Sequence, residues 1–227
     1  MTMNKKLVSE FIGTALLLAV ITGSGIMGET LSRNNNAIAL LGNSIATGAG
    51  LFVLISVLMP ISGAHFNPLV SFLDWSNKKL KTNELIKYFI CQLVGAISGV
   101  LVIHFIFALP IIEVSTHERS GINYYVSEFI STLVLLSVIY FGGKSDKKQI
   151  PMLVALTVTC GYWFTSSTFF ANPVVTIARS FTDTFVGIQS ADVMPFIIAQ
   201  FFAASTILIR FFAVLTFSSF SPLASTN

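Results

Sequence analysis

The chain of 227 residues is 54% hydrophobic and 10% charged, and its mean hydropathy is +0.81. A water-soluble domain needs more polar side chains than this to cover its surface, so the composition excludes a soluble protein and predicts an integral membrane protein. The net charge of +3 gives no indication of nucleic-acid binding. Two cysteines, Cys91 and Cys160, are too few for a disulfide framework.

Six apolar runs are long enough to cross a bilayer as helices, which takes about 20 residues each. They extend over Leu7 to Met27, Ala37 to Ile61, Leu85 to Ile112, Tyr124 to Phe141, Ile150 to Phe170 and Asp192 to Val214. The length of the first run and Glu10 within it distinguish this run from a cleaved signal peptide, so we predict a retained first helix. An even number of spans places both termini on one side of the membrane.

Basic residues are distributed unequally between the two sides of this predicted bundle. On the side of the termini lie Lys5, Lys6, Lys78, Lys79, Lys81, Lys87, Lys144, Lys147, Lys148 and Arg210. Only Arg33, Arg119 and Arg179 fall on the opposite side. Because short loops rich in Lys and Arg stay in the cytoplasm, we expect a multi-pass protein of the cell membrane with both termini cytoplasmic.

Two Asn-Pro motifs stand 105 positions apart, within His65-Phe66-Asn67-Pro68-Leu69-Val70 and Phe170-Ala171-Asn172-Pro173-Val174-Val175. Proline suits the first position of a helix because its missing N–H would be unpaired there, and a preceding asparagine can cap the helix. Each motif therefore predicts a short helix. Irregular backbone at membrane depth is tolerated only where protein or water satisfies it, so two such half-helices predict a pore.

The halves of the chain repeat each other. Ser9-Glu10-Phe11-Ile12-Gly13-Thr14 in the first span is echoed by Ser127-Glu128-Phe129-Ile130-Ser131-Thr132 in the fourth. We predict one channel domain over 1–227, built from repeats at about 5–112 and 122–217. Because each repeat holds three spans, the second is inverted relative to the first.

Glu10 and Glu128 are ionisable groups inside spans, where they are costly unless partnered. We expect both to have a structural role, accepting hydrogen bonds from the backbone of the Asn-Pro segments. A role as proton carriers is the alternative. Gln92 and Gln200, which sit in similar surroundings in the third and sixth spans, are the matching structural residues.

The six spans, the two Asn-Pro motifs, the lead-in Ser62-Gly63-Ala64-His65 and the repeated glutamates together resemble the aquaporin and aquaglyceroporin family, from Leu7 to Val214. The resemblance implies an all-α integral membrane protein with six transmembrane helices and two re-entrant half-helices that meet at the midplane. It further implies a homotetramer with one pore per protomer, in a lipid bilayer, without catalytic residues, metal or cofactor.

The family's Asn-Pro-Ala reads Asn67-Pro68-Leu69 and Asn172-Pro173-Val174 here, so we expect an altered seam between the half-helices. Backbone carbonyls leading into the half-helices are expected to line one wall of the pore. These carbonyls belong to Ala64, His65, Phe66, Phe169, Phe170 and Ala171. The side chain of His65 is expected to be a neutral, hydrogen-bonded part of the wall, with a pH-sensitive gate as the alternative.

In most of the family an arginine directly follows the second motif and helps to form the narrowest ring of the pore, but here that position is Val175. The resemblance assigns the other ring positions to Thr47, to Cys160 or Gly161, and to Phe169. Such a ring carries no fixed charge and is wider and less polar than usual.

Arg179 lies four residues beyond Val175, about 6 Å further along a helix at roughly 1.5 Å per residue. We expect it in the outer vestibule, either in a salt bridge with Asp183 or as a displaced selectivity gate. Asp74 occupies the matching place after Asn67, near the inner mouth.

An uncharged, widened ring predicts a passive channel for small uncharged solutes: water, glycerol-like polyols and neutral metalloid hydroxides such as arsenite. The Val175 pattern also resembles a bacterial branch of the family linked to arsenic resistance, which implies passage of arsenite and methylated arsenicals. The alternatives are a water-selective aquaporin, a secondary transporter and a non-conducting structural membrane protein. An enzyme is not indicated, because the chain has no recognisable metal-ligand or catalytic motif.

Overall fold

The computed structural model describes residues 1–33 and 35–218, with side chains through Leu208. This described part is helical and contains no β-strand. Its helices are α1 (Met3–Leu31), α2 (Asn36–Ser62), α3 (Pro68–Ser76), α4 (Thr82–Ile106), α5 (Ile122–Ser145), α6 (Ile150–Phe164), α7 (Pro173–Ala178) and α8 (Ser190–Ser218), with 3₁₀ turns at Lys147–Gln149 and Arg179–Phe181. Residues 219–227 of the predicted domain and the side chain of Arg210 lie outside the described part of the structure.

Within the described residues, five helices are long and apolar enough to cross a membrane, namely α1, α2, α4, α5 and α8. The predicted span from Ile150 to Phe170 is helical only through Phe164, so α6 has 15 residues. It still connects the two sides of the bundle, because the Ser166 hydroxyl just beyond it donates to the carbonyl of Asn123, at the start of α5. The predicted span from Leu85 to Ile112 likewise ends as a helix at Ile106, four residues before Pro110, which cannot continue the ladder.

The long helices form a bundle in which α1 packs on α2 and α4, α6 joins α2 to α5, and α8 packs on α5. Small residues permit the closest of these approaches. A Cβ atom added to Gly95 of α4 would lie 2.5 Å from the carbonyl oxygen of Phe11 in α1, closer than real Cβ atoms come. Glycine at such crossings lets helix backbones approach in a membrane, where packing drives helix association.

The half-helices α3 and α7 enter this bundle from opposite sides and meet at their N-termini. The C-terminal end of α3 adjoins the loop at Lys78 and Lys79, on the side of the N-terminus, whereas α7 leads into loop residues on the far side. The third motif residues Leu69 and Val174 are fully buried in the apolar core around this junction. The fold therefore places two helix starts in the middle of the bundle.

Candidate functional site

The half-helices meet through their asparagines. The Asn67 side chain caps α3 by accepting from the Leu69 N–H at 2.9 Å, and the Asn172 side chain caps α7 by accepting from the Val174 N–H at 3.2 Å. The remaining amide group of each asparagine reaches across: Asn67 Nδ2 donates to the carbonyl of Ala171 at 2.8 Å. Asn172 Nδ2 donates to the carbonyl of Phe66, also at 2.8 Å. Two positive helix ends therefore converge on one point, which disfavours a cation there.

The backbone before each asparagine adopts left-handed conformations that are uncommon for residues other than glycine. The φ angles are +50° and +48° at Ala64 and Phe66, and +58° and +49° at Phe169 and Ala171. Such residues cost about 1–3 kcal/mol each and persist where surrounding contacts hold them. The same pattern at both motifs turns successive peptide groups in alternating directions, so that some N–H groups face into the protein.

Glu10 and Glu128 bind those N–H groups. The carboxylate of Glu10 accepts from the N–H of His65 at 3.0 Å and of Phe66 at 2.8 Å. Glu128 accepts from the N–H of Phe170 and of Ala171, both at 3.0 Å. Both glutamates are fully buried, so each carboxylate is satisfied by the strained backbone that it holds in place.

The two glutamines complete matching networks. Gln92 Nε2 donates to Glu10 at 2.8 Å and to the Ser71 hydroxyl at 3.1 Å. Gln200 Nε2 donates to Glu128 at 2.6 Å and to the hydroxyl of Thr176 at 2.9 Å. Each glutamine therefore ties its half-helix to the helix that carries the glutamate.

A cavity of about 800 Å³ runs along this junction. It begins on the side of the N-terminus between Lys79 and Lys147, passes Asn67 and Asn172, and reaches Arg179 at its far end. Among the predicted wall residues, Ala64, His65, Phe66, Phe169 and Phe170 line it. Ala171 does not, because its carbonyl is turned toward Asn67.

The mouth on the side of the N-terminus carries a hydrogen-bonded histidine. Nδ1 of His65 lies 3.0 Å from the Ser71 hydroxyl, and Nε2 lies 3.3 Å from the carboxylate of Asp74. The Asp74 carboxylate also accepts a hydrogen bond from Lys79 Nζ at 3.3 Å. Asp74 therefore does more than solvate the end of α3, since it fixes the orientation of the imidazole ring at the cavity wall.

The far end of the cavity is lined by Thr47, Phe169 and Val175, three of the predicted ring residues. Tyr162 of α6 joins them, and its hydroxyl lies 3.3 Å from the hydroxyl of Thr47. All four side chains are at most 3% exposed. Sequence reasoning missed Tyr162, which lies two residues after Cys160 and therefore on the opposite face of α6.

The assignment of Cys160 to this ring is wrong. Cys160 is exposed and lies on the face of α6 that also carries the exposed Met152 and Leu156, eight and four residues earlier. Residues spaced by four share one face of a helix, and Val158 and Tyr162 on the other face line the cavity. Gly161 is the neighbour that contacts the ring, since a Cβ there would overlap the Phe169 side chain.

The predicted salt bridge between Arg179 and Asp183 is also absent from the described structure. Arg179 is 2% exposed, its Nε donates to the carbonyl of Val186, and its guanidinium lies over the ring of Phe170. Asp183 instead accepts from the N–H of Thr116 at 2.8 Å and from its hydroxyl at 3.0 Å. These hydrogen bonds hold the pKa of Asp183 below its ordinary value.

Arg119, in the loop between α4 and α5, is a second residue that sequence reasoning missed. Its Nε donates to the carbonyl of Gly187 at 2.8 Å, and its guanidinium lies 5.1 Å from the centroid of the Phe170 ring. Burial lowers the pKa of this guanidinium. No local motif marks a loop arginine whose partners come from other elements.

Comparisons with known proteins agree with this geometry. The profile of the family described as Major intrinsic protein matches residues 1–186. Aquaglyceroporin AqpS from Rhizobium meliloti (strain 1021) is 43% identical over 202 residues, which cover 89% of this chain and 86% of that protein. Aquaporin Z from Photorhabdus laumondii is 28% identical over 170 residues, covering 69% of this chain and 72% of that protein.

The X-ray structure of the aquaglyceroporin from Plasmodium falciparum superposes with a TM-score of 0.64 at 22% identity, covering 91% of this chain and 97% of that one. This likeness confirms the predicted fold class, an all-helical aquaporin-like membrane protein. The matched profile and the identity to AqpS also confirm the predicted family, whose members are channels and not enzymes. The chain therefore belongs to the major intrinsic protein family.

Proposed function

We propose that the chain is a passive channel whose widened constriction admits small uncharged solutes larger than water. The solutes are glycerol-like polyols and neutral metalloid hydroxides such as arsenite, with methylated arsenicals as further candidates. The observation that carries this proposal is Val175 on the cavity wall, where an aliphatic side chain follows the second Asn-Pro motif. The name of the relative AqpS, an aquaglyceroporin, supports polyols as one class of solute.

The lining supports solutes with both hydroxyl groups and an apolar body. Phe169 and Val175 present apolar surface at the far end of the cavity, whereas Thr47 and Tyr162 supply hydroxyl groups there. Sites of this kind combine apolar walls with a few fixed polar groups that orient the solute. Arsenous acid and glycerol both carry three hydroxyls and fit this description.

The test is solute flux in liposomes that contain the purified protein. Light scattering after osmotic shock follows water alone, glycerol and neutral arsenite. In Val175→Arg we expect glycerol and arsenite flux to fall about tenfold or more, because a bulky cation narrows the ring. Val175→Met is the matched control, since it adds length without charge, and it should retain more glycerol flux than Val175→Arg.

Two results would contradict the proposal. Fast water flux with neither solute passing would identify a water-selective aquaporin, with Phe169 filling the space beside Val175. Complete absence of flux from a folded protein would identify a non-conducting membrane protein.

We further propose that the protein works as a homotetramer in a bacterial cell membrane, with both termini in the cytoplasm. The ten-to-three distribution of basic residues supports the orientation, and the apolar residues exposed on the helices are compatible with lipid and with neighbouring protomers. Chemical crosslinking in native membranes would test the tetramer. Protease accessibility of the C-terminus in inverted vesicles would test the orientation.

A further inference from the structure

We propose that Arg179 is the charge-selective residue of the constriction, acting one helical turn beyond Val175. Its role is to exclude cations and to bind the oxygen atoms of neutral hydroxylated solutes. This inference rests on the proposed channel function and adds a residue to its selectivity.

The position of Arg179 allows this role. The backbone N–H of Arg179 donates to the carbonyl of Val175, so Arg179 lies one helical turn after Val175, at the end of α7. Arg179 and Val175 both line the far end of the cavity.

The guanidinium of Arg179 is held in place. Its Nε donates to the carbonyl of Val186, and its Cζ lies 3.4 Å from the centroid of the Phe170 ring. A cation over an aromatic ring is stabilised most where water is excluded, and Arg179 is 2% exposed. The backbone N–H of Phe170 is in turn bound to Glu128, so the supporting ring is anchored.

The charge of Arg179 has no ion-pair partner among the described residues. The ion pairs among the described residues join Asp74 to His65 and to Lys79, and Asp183 to His117. Glu128 is occupied by two backbone N–H groups and by Gln200. A guanidinium remains protonated in proteins, so this end of the cavity carries a fixed positive charge.

Arg119 adds a second positive charge beside the same ring. It lies 5.1 Å from the centroid of Phe170, and its backbone N–H donates to Asp192 at 2.7 Å. It does not line the cavity, so it is a positioning residue that fixes Phe170. The two arginines together give a positive potential that repels cations at this end of the cavity.

Arg179 also has hydrogen-bond donors that remain available to a solute. Its Nε is bound to Val186, but no described residue accepts a hydrogen bond from its two terminal nitrogens. Arg179 lines the cavity wall that also carries the hydroxyls of Thr47 and Tyr162. A polyol or neutral oxyacid that reaches this point can therefore offer its oxygens to Arg179 and its hydroxyl hydrogens to the other two.

The test compares cation leak with water flux in the same liposomes. We expect Arg179→Gln to raise the ratio of proton or sodium permeability to water permeability about tenfold or more, because a fixed charge is removed from a poorly solvated site. Arg179→Lys keeps the charge and should keep the ratio near that of the parent. Arg33→Gln is the matched control, since it removes an exposed arginine on the same side of the bundle and should leave the ratio unchanged.

A second variant, which moves the arginine from position 179 to position 175, tests the inference even if Arg179→Gln fails to assemble. The double variant Val175→Arg with Arg179→Val should exclude cations as the parent does, while passing less glycerol. An unchanged cation-to-water ratio in Arg179→Gln, or a leak in the assembled double variant, would overturn the inference. Absence of glycerol flux in the parent would instead refute the proposed function, because the cation-to-water ratio is measured without glycerol.

Discussion

Asn67 and Asn172 each donate a hydrogen bond to the carbonyl that immediately precedes the other asparagine, both at 2.8 Å. The contact is reciprocal, so the start of each half-helix fixes the backbone that leads into the other. Because the chain between them spans a whole half of the molecule, these two bonds join the halves at the centre of the bundle.

The first prediction follows from this reciprocity. Asn67→Ala and Asn172→Ala should each lower the thermal stability of the detergent-solubilised protein, by about 1–2 kcal/mol for the lost cap plus about 1 kcal/mol for the lost bond. The double variant should lose less than the sum, because the tips relax after the first change. Asn35→Ala, which removes the cap of α2 without a bond between halves, is the control and should cost less. Strict additivity of the two changes would contradict the coupling.

The second prediction concerns the glutamates. Glu10→Ala leaves the N–H groups of His65 and Phe66 without their acceptor in a buried site. Each such group costs about 1–3 kcal/mol, so we expect a large drop in the fraction of protein that survives heating in size-exclusion chromatography. Glu118→Ala, at an exposed loop position, should leave the profile unchanged. A Glu10→Ala protein as heat-resistant as the parent would contradict a structural role for this carboxylate.

Much of this site could be predicted from the sequence because its signals are local and repeated. An Asn-Pro pair predicts a helix start wherever it falls, and the repetition of Glu10 as Glu128 indicates that both serve the same purpose in their halves. The left-handed backbone at Phe66 and Ala171 gave no such signal, since neither residue type favours that conformation. It arises from the tertiary hydrogen bonds to the glutamates.

The face of α6 could not be predicted for a related reason. Its sequence is apolar on all sides, so hydrophobic periodicity does not distinguish the surface that faces the cavity from the one that faces outward. Counting along the chain therefore reached Cys160 or Gly161 and not Tyr162. The surroundings of Arg179 were equally inaccessible, because Val186 and Phe170, seven residues after it and nine before it, contact it through turns of the backbone that no sequence motif marks.

The third prediction uses the packing of Gly161 on Phe169. A Cβ at position 161 would overlap the Phe169 ring, so Gly161→Ala should push that ring toward the cavity and reduce glycerol flux several-fold, with a smaller effect on water. The control is Gly42→Ala in α2, where an added Cβ meets nothing within 4 Å and should preserve flux. Stopped-flow light scattering measures both variants. Parent-like glycerol flux in Gly161→Ala would show that Phe169 does not border the solute path.

The fourth prediction concerns thiol reagents. Because Cys160 is exposed on the face of α6 that points away from the cavity, a mercurial that reacts with it should leave water and glycerol flux unchanged. Val158→Cys places a thiol on the cavity face of the same helix, in a Cys160→Ser background, and should make flux sensitive to the same reagent. Flux is measured before and after labelling, and mass spectrometry establishes that each thiol has reacted. Cys91 is partly buried in both proteins, so any reaction there affects them equally. If the reagent inhibits the parent and this inhibition disappears in Cys160→Ser, Cys160 lies in the pore wall and the orientation of α6 is contradicted.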